Sequence, residues 1–260
     1  EYNISVIAIS IGSVNTYSYE CDSLYTVMTN AINNAVANNI PVTIGTGNAG
    51  SSTGISFPSC VANALSVGAT NKDDYLAPYS NYNQFVKVFA PGTYIHSTCL
   101  NGGYCYNTGT SMATPMVAGA IAILQQYVGL TGNLLTPSEM ENLLFQTGDP
   151  ILNLPDSWKR INIYNAVMTD LIDLDGDFLI NGSDLAILLG DWGQCTDECE
   201  ADFNGDGIVN ADDLALLLGH WNSYSGDPLS VDLPQEEKEI LNAFISKTEK
   251  DYQENLEIKN

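Results

Sequence analysis

Residues Gly109-Thr110-Ser111-Met112-Ala113-Thr114-Pro115 form a turn that runs directly into a long apolar helical stretch, Ser111 to about Gln126. Such a turn sets one hydroxyl at a helix N-terminus, where backbone N–H groups lack intrahelical acceptors and point outward. A serine in that position has two readings. It is an ordinary N-cap, which the local sequence alone favours because Ser and Thr start many helices. Or it is a nucleophile, because the same N–H groups favour the negative charge that develops on a substrate carbonyl. The surrounding chain decides between them.

Around this helix, apolar strands alternate with helical stretches, the pattern of an α/β domain with a parallel sheet. Ile4–Ile11, Ile40–Thr46, Ala64–Ala69 and Phe85–Phe89 read as strands, and Ser23–Asn38 and Ser111–Gln126 as helices. Thr136-Pro137-Ser138-Glu139 is a helix start signal for a third helix, Thr136–Gln146. The interval Ile151 to Trp158, rich in Pro and Asn, reads as a loop.

Four stretches in this region carry a resemblance. They are Ile7-Ala8-Ile9-Ser10-Ile11-Gly12; Ile40 to Gly50, ending Thr46-Gly47-Asn48-Ala49-Gly50; Val67-Gly68-Ala69-Thr70 with Ser80-Asn81-Tyr82 and Val88-Phe89-Ala90-Pro91-Gly92; and Gly109 to Gly119, reading GTSMATPMVAG. In that order they resemble the later part of the catalytic domain of the subtilisin-like serine peptidases, from about Ile4 to about Val167. Arg160-Ile161-Asn162-Ile163-Tyr164-Asn165-Ala166 is similar to the close of many such domains. The resemblance implies a subtilisin-like parallel sheet with flanking helices, N-terminally incomplete, over residues 1–168. It implies Ser111 as nucleophile and Asn48 as oxyanion donor. It also implies a substrate site lined by Ser10, Ile11, Gly12, Gly45, Thr46 and Gly47, with Thr46 making the specificity pocket slightly polar. The substrate is then a protein or peptide, with broad preference for apolar or aromatic residues.

The same resemblance exposes a gap. The family's general base is a histidine oriented by an aspartate, in chain order Asp, His, Ser. The chain has two histidines, His96 after Ala90-Pro91-Gly92 and His220 near the C-terminus, and neither stands where the family has its catalytic one. The triad aspartate and histidine are therefore expected upstream, before Ile4, and the first residue, Glu1 rather than Met, agrees with a piece of a longer product. The alternative is a non-catalytic binding or scaffold protein with a dead peptidase-like domain. Met116 is another departure, standing where the family usually has histidine.

The chain carries 31 Asp and Glu against 8 Lys and Arg, a net charge of -23, which argues against nucleic acid or an anionic membrane as partner. No apolar run approaches the roughly 18 residues of a membrane span. The six cysteines form an even set, as in secreted proteins of oxidising compartments. Spacing pairs Cys99 with Cys105 across Gly102-Gly103 and Cys195 with Cys199 in a polar loop, leaving Cys21 with Cys60; six separate buried thiols is the other reading. No Cys-x-x-Cys occurs, which argues against zinc.

From about 169 to 222 the chain repeats itself with a period of 29, and Asp173–Gly193 aligned on Asp202–Asn222 gives 11 identities in 21 positions. Each copy sets side-chain oxygens at positions 1, 3, 5, 9 and 12 of a loop: Asp173, Asp175, Asp177, Asn181 and Asp184, then Asp202, Asn204, Asp206, Asn210 and Asp213. Calcium takes roughly six to eight oxygens, and a loop of about 12 residues with this spacing wraps one ion. The backbone carbonyls of Leu179 and Ile208, at position 7, would add a ligand each. Between Ile161 and Asn222 there are 13 acidic residues and no Lys or Arg, a density that calls for counter-cations. The pair resembles a type I dockerin, a small all-α calcium module that docks onto a cohesin domain. Its helices would be Asp184–Gly190 and Asp213–His220. Gly182-Ser183 and Ala211-Asp212 stand at loop positions 10 and 11, which the family often uses for docking, and differ from its familiar Ser-Thr type. Residues 223–260 form a polar tail with an expected surface helix from Pro234 to about Leu256. The whole reads as a secreted or extracellular protein, with attachment to a cell surface through the docking module.

Overall fold

The computed structural model describes residues 4–221, apart from 132–134, 156, 178 and 196–198. The tail and its expected helix lie outside the described residues. Two compact units divide after Asp170. In chain order the first runs β1 (Ile7–Ile9), β2 (Thr16–Tyr17), α1 (Thr26–Ala37), β3 (Val42–Gly45), β4 (Ile55–Ser56), β5 (Leu65–Thr70), β6 (Val88–Pro91), β7 (Ile95–Thr98), β8 (Tyr104–Asn107), α2 (Thr110–Thr131), α3 (Pro137–Gln146), β9 (Asp149–Pro150) and β10 (Lys159–Arg160), and α4 (Ile163–Ile172) follows.

Six strands form one sheet in the order β1-β3-β5-β6-β10-β9, parallel throughout except for the β9–β10 pair. This is the expected α/β architecture. Every residue of β3 and β5 is buried, as strands covered on both faces must be. Side chains alternate between faces. Val42 and Ile44 join Ile32 of α1 and Phe89 in one cluster. Thr43 and Gly45 therefore point to the other face, where α2 packs on the sheet. Along α2, Ala113, Val117, Ala120, Ile121 and Leu124 are buried, a stripe at helical spacing. Phe89, Ile44, Ile121 and Leu124 are each fully buried, worth about 1.5–3 kcal/mol apiece.

β1, β3 and β6 are shorter than their apolar runs. β1 covers three residues of the expected Ile4–Ile11, because Ser10 turns to meet the start of α2, its hydroxyl donating to the Ser111 carbonyl. The run Phe85–Phe89 enters the sheet only at Val88. Before it the chain turns at Asn83, whose carbonyl accepts the Val86 N–H and whose side chain accepts the Phe85 N–H. Helix α3 begins as its start signal requires. The Thr136 hydroxyl and N–H both donate to the Glu139 carboxylate at 2.7 Å. Those two bonds hold the Glu139 carboxyl below its ordinary value. The disulfides are Cys21–Cys60, Cys99–Cys105 and Cys195–Cys199, the pairing that spacing indicates.

The second unit runs α5 (Gly182–Gly190), β11 (Gly193–Gln194), β12 (Ile208–Val209) and α6 (Ala211–Gly219), and its two nine-residue helices start in the same way. The unit is not all-α, because β11 and β12 pair antiparallel, Gly193 opposite Val209. Both helices start two residues before the expected aspartates. The reason is local: Asn181 and Asn210 are the N-caps, with φ/ψ of -148/-161 and -147/-163, and Asp184 and Asp213 close the capping boxes. The Leu188 and Leu217 side chains, equivalent in the two halves, are fully buried.

Candidate active site

β3 ends at Gly45 beneath the first turn of α2. A Cβ at Gly45 would stand 3.0 Å from the Thr114 hydroxyl and 3.1 Å from the Thr110 hydroxyl, so glycine is what lets the helix start rest on the strand end. The loop that follows, Thr46 to Ser51, is joined to that helix start through Asn48. Its side-chain Oδ1 accepts the Thr110 N–H at 2.8 Å and the Thr110 hydroxyl at 3.1 Å. The Gly47 N–H donates to the Thr110 hydroxyl at 3.2 Å. Two donors on one oxygen settle which way the Asn48 carboxamide faces. Its Nδ2 has no acceptor among the described residues and remains available.

Ser111 lies one residue further, in the first turn of α2, where its own N–H has no intrahelical acceptor. Its Oγ donates to the Ser10 carbonyl at 3.3 Å, and the Ser10 hydroxyl donates back to the Ser111 carbonyl at 3.0 Å. Pro115 explains the second bond. A residue at 115 would normally donate its N–H to the carbonyl four residues earlier, and proline has none to give. Ser10 supplies the missing donor from across the sheet. Ser10→Ala is expected to lower stability by about 0.5–1 kcal/mol, at the small end because the site is open to water. Denaturant unfolding checks this, and the loss should shrink when Pro115→Ala restores an N–H at that turn.

These groups line one cleft of about 250 Å³, with walls that include Ser10, Ile11, Gly12, Gly45, Gly47, Asn48 and Ser111. The structure thus brings together all but one of the expected substrate-lining residues. Thr46 is the exception. It follows Gly45 on the opposite face of the chain, is fully buried, and donates its hydroxyl to the Asn81 carbonyl at 2.8 Å. The polarity expected of Thr46 comes instead from Ser10, Asn48 and Ser111 themselves, while Ser56 and Asn81, to which the sequence assigns no role, also line the cleft. Ser56 lies outside the motif stretches and Asn81 inside one, but only the fold shows which residues each of them meets.

Neither histidine lines the cleft. His96 sits on β7 in an exposed hairpin with β8, its ring 4.8 Å from that of Tyr106 and 5.5 Å from that of Tyr104. His220 lies in the second unit, at the C-cap of α6, its Nδ1 2.8 Å from the Leu216 carbonyl. Met116 is half-buried on α2.

In the second unit the carboxylate oxygens of Asp173, Asp175 and Asp177 lie within 4.8 Å of one another. Asp184 is fully buried and accepts the Leu174 and Asn181 N–H groups, both at 2.8 Å. Asp213 repeats this with Phe203 and Asn210, both at 2.9 Å. Asp202 accepts the N–H groups of Gly205, Asp206 and Gly207, Asn204 accepts that of Asp206, and Asp206 that of Ile208. The side chains of Asn181 and Asn210 cap their helices and donate to the Leu179 and Ile208 carbonyls at 3.2 and 3.0 Å.

The Subtilase family profile matches residues 1–171. A thermophilic serine proteinase of Bacillus sp. (strain AK1) is 40% identical over 152 residues, 58% of this chain and 36% of that protein. An extracellular protease of Xanthomonas campestris pv. campestris is 40% identical over 133 residues, 48% of this chain and 22% of that protein. Among solved structures, the prenylagaramide maturation protease PagA superposes with a TM-score of 0.56 at 26% identity, over 63% of this chain and 60% of that one. The chain therefore spans about a third or less of the length of these two curated relatives.

Proposed function

This chain belongs to the Subtilase family, and on that premise we propose that it carries the nucleophile and oxyanion half of a secreted serine endopeptidase, joined to a calcium-dependent docking module. The observation that carries the peptidase reading is the free donor of Asn48 beside Ser111, on a carboxamide already anchored by Thr110. An extended peptide lies along Ser10–Gly12 and Gly45–Gly47. The Ser111 oxygen attacks the scissile carbonyl and its proton passes to a base. The oxyanion that forms is held by the Asn48 Nδ2–H and the Ser111 N–H; its collapse breaks the peptide C–N bond, the amine leaves with the proton the base took up, and water then hydrolyses the acyl-enzyme on Ser111. The base and its orienting aspartate come from residues upstream on a longer polypeptide. The Ser111 Oγ–H bond to the Ser10 carbonyl supports this, because a carbonyl can accept that proton's hydrogen bond but cannot take the proton.

The test uses the full-length polypeptide. Asn48→Ala should lower kcat by about 10²–10³-fold with little change in KM, since the bond strengthens in the transition state; that magnitude is the one known for subtilisin itself. A change confined to KM would remove Asn48 from the oxyanion role. Peptidase activity from the 260-residue chain alone would overturn the upstream base.

The docking module rests on the two matching loop-helix halves. Three carboxylates gathered within 4.8 Å repel one another unless a cation neutralises them, so the donor set fits calcium. Asp173, Asp175, Asp177, Leu179 and Asp184 would hold one ion, and Asp202, Asn204, Asp206, Ile208 and Asp213 the other. Asn181 and Asn210 stand at the position that often ligates through water. Bound calcium would cross-link each loop. The exposed Gly182, Ser183, Ala211 and Asp212 would face a cohesin-type partner. The three disulfides support an extracellular location, and no helix among the described residues is long and apolar enough to cross a membrane.

A further inference from the structure

Asn81 is fully buried, and all its polar atoms serve the loop that carries Asn48. Its Oδ1 accepts the Ala49 N–H at 2.9 Å and the Ser51 N–H at 3.0 Å. Its Nδ2 donates to the Thr46 carbonyl at 3.0 Å and reaches the Ser56 hydroxyl at 3.4 Å. Its backbone N–H donates to the Gly47 carbonyl at 3.0 Å, and its carbonyl accepts the Thr46 hydroxyl. The residues on both sides of Asn48 are thus held by Asn81. Gly47, at φ 99, gives it room: a Cβ there would collide with the Asn81 Nδ2 and the Ser56 hydroxyl. The neighbours of Asn81 extend the brace. The Tyr79 carbonyl accepts the Gly50 N–H at 2.7 Å, and the Tyr82 N–H donates to the Ser51 carbonyl at 2.8 Å. The Tyr79 hydroxyl, half-buried, shares a hydrogen bond with the Thr93 hydroxyl at 3.0 Å and contacts Gly109, two residues before Ser111. One segment, Tyr79 to Tyr82, therefore touches both the Asn48 loop and the turn that leads to Ser111.

We propose that Asn81 is a positioning residue for the hydrolysis assigned above, fixing where the Asn48 carboxamide stands relative to Ser111. The proposal rests on the reading of Asn48 and Ser111 as oxyanion donor and nucleophile. Without Asn81, the loop would be tied to α2 chiefly through Asn48 and Gly47 themselves, so the donor would also have to act as the tether. A donor moved by about 1 Å loses much of its transition-state stabilisation, on the order of 10²-fold, while ground-state binding along the cleft is little affected.

The experiment measures kcat and KM separately in the full-length polypeptide for Asn48→Ala, Asn81→Ala, Asn81→Asp and the Asn48→Ala/Asn81→Ala double variant. Asn81→Ala should lower kcat by about 10-fold or more and change KM by less than about 3-fold. Amide exchange at Ala49 and Ser51 should quicken in parallel. Asn81→Asp keeps an acceptor for both N–H groups but loses the donor to the Thr46 carbonyl and buries a charge, so it should recover only part of the lost turnover. In the Asn48→Ala background, Asn81→Ala should lower kcat by less than about 3-fold further, because the effect runs through Asn48. Where Asn81→Ala does not accumulate folded, Asn81→Leu, of similar volume, carries the same test. Wild-type kcat in folded Asn81→Ala or Asn81→Leu, or losses that multiply in the double variant, overturns the proposal. An unchanged kcat in Asn48→Ala alone overturns the reading beneath it instead.

Discussion

Ser111→Ala in the full-length polypeptide should abolish peptide hydrolysis and labelling by a fluorophosphonate probe together. The loss in kcat should be about 10⁴-fold or more, because a residue that acts as part of a nucleophile–base unit takes the whole unit with it when removed. The expectation follows from position. The Ser111 hydroxyl lines the same cleft as the free Asn48 donor and stands in the first turn of α2, above a sheet that packs against that helix. Folding should be nearly untouched, since the bond lost is a single one from Oγ to the Ser10 carbonyl at 3.3 Å. Labelling of the 260-residue chain should be slight even with Ser111 present, because no base lines the cleft among the described residues. Retained hydrolysis in Ser111→Ala would point to a different nucleophile. Hydrolysis and labelling absent from the full-length wild type as well would favour a non-catalytic binding or scaffold role.

Removing calcium should produce the second large effect, confined to the second unit and unequal between its loops. Chelation should abolish the ordered α5–α6 core, reported by far-ultraviolet circular dichroism, because the binding energy of the calcium proposed above would be part of the folding energy of such a small unit. In a calcium titration of the whole chain, Asp202→Ala should remove the tighter site and Asp173→Ala the weaker one. The reason is backbone geometry. Position 6 of the second loop is Gly207, which adopts φ 85. The first loop has Phe178 there, outside the described residues, and a positive φ costs a bulky residue roughly 1–2 kcal/mol. Position 4 offers no such contrast, since Gly176 and Gly205 have φ 75 and 72. The first loop has the extra carboxylate, Asp175 against Asn204, which works the other way. Loss of the tighter site in Asp173→Ala would mean that charge outweighs shape.

The two acidic loops of the second unit and the helices that follow them are legible in outline, because their signals are local. Each cap, carboxylate and glycine acts within a dozen residues of its partner, and the same spacing recurs 29 residues later. The exact helix starts are not legible, because an asparagine at position 9 of such a loop fits a calcium ligand and an N-cap equally, and only the structure shows Asn181 and Asn210 capping. In the first unit the strands and helices followed from apolar runs and start signals, and the cysteine pairing from spacing. Strand ends did not, since Asn83 and Ser10 withdraw residues from the sheet through hydrogen bonds that no periodicity encodes.

What the sequence by itself determined is therefore the α/β order of the first unit, the turn from Gly109 into an apolar helix, and the two acidic loops. Each depends on side-chain types at fixed short separations. Only the tertiary structure decided that Thr46 turns away from the cleft, that Ser10 completes the helix turn opened by Pro115, and that Asn81 holds the Asn48 loop. Those contacts join residues 35 apart for Thr46 and Asn81, 101 apart for Ser10 and Ser111, and 32 and 30 apart for Asn81 with Ala49 and Ser51. They exist because parallel strands bring distant segments side by side, and a buried polar group must then take whichever partner the packing supplies.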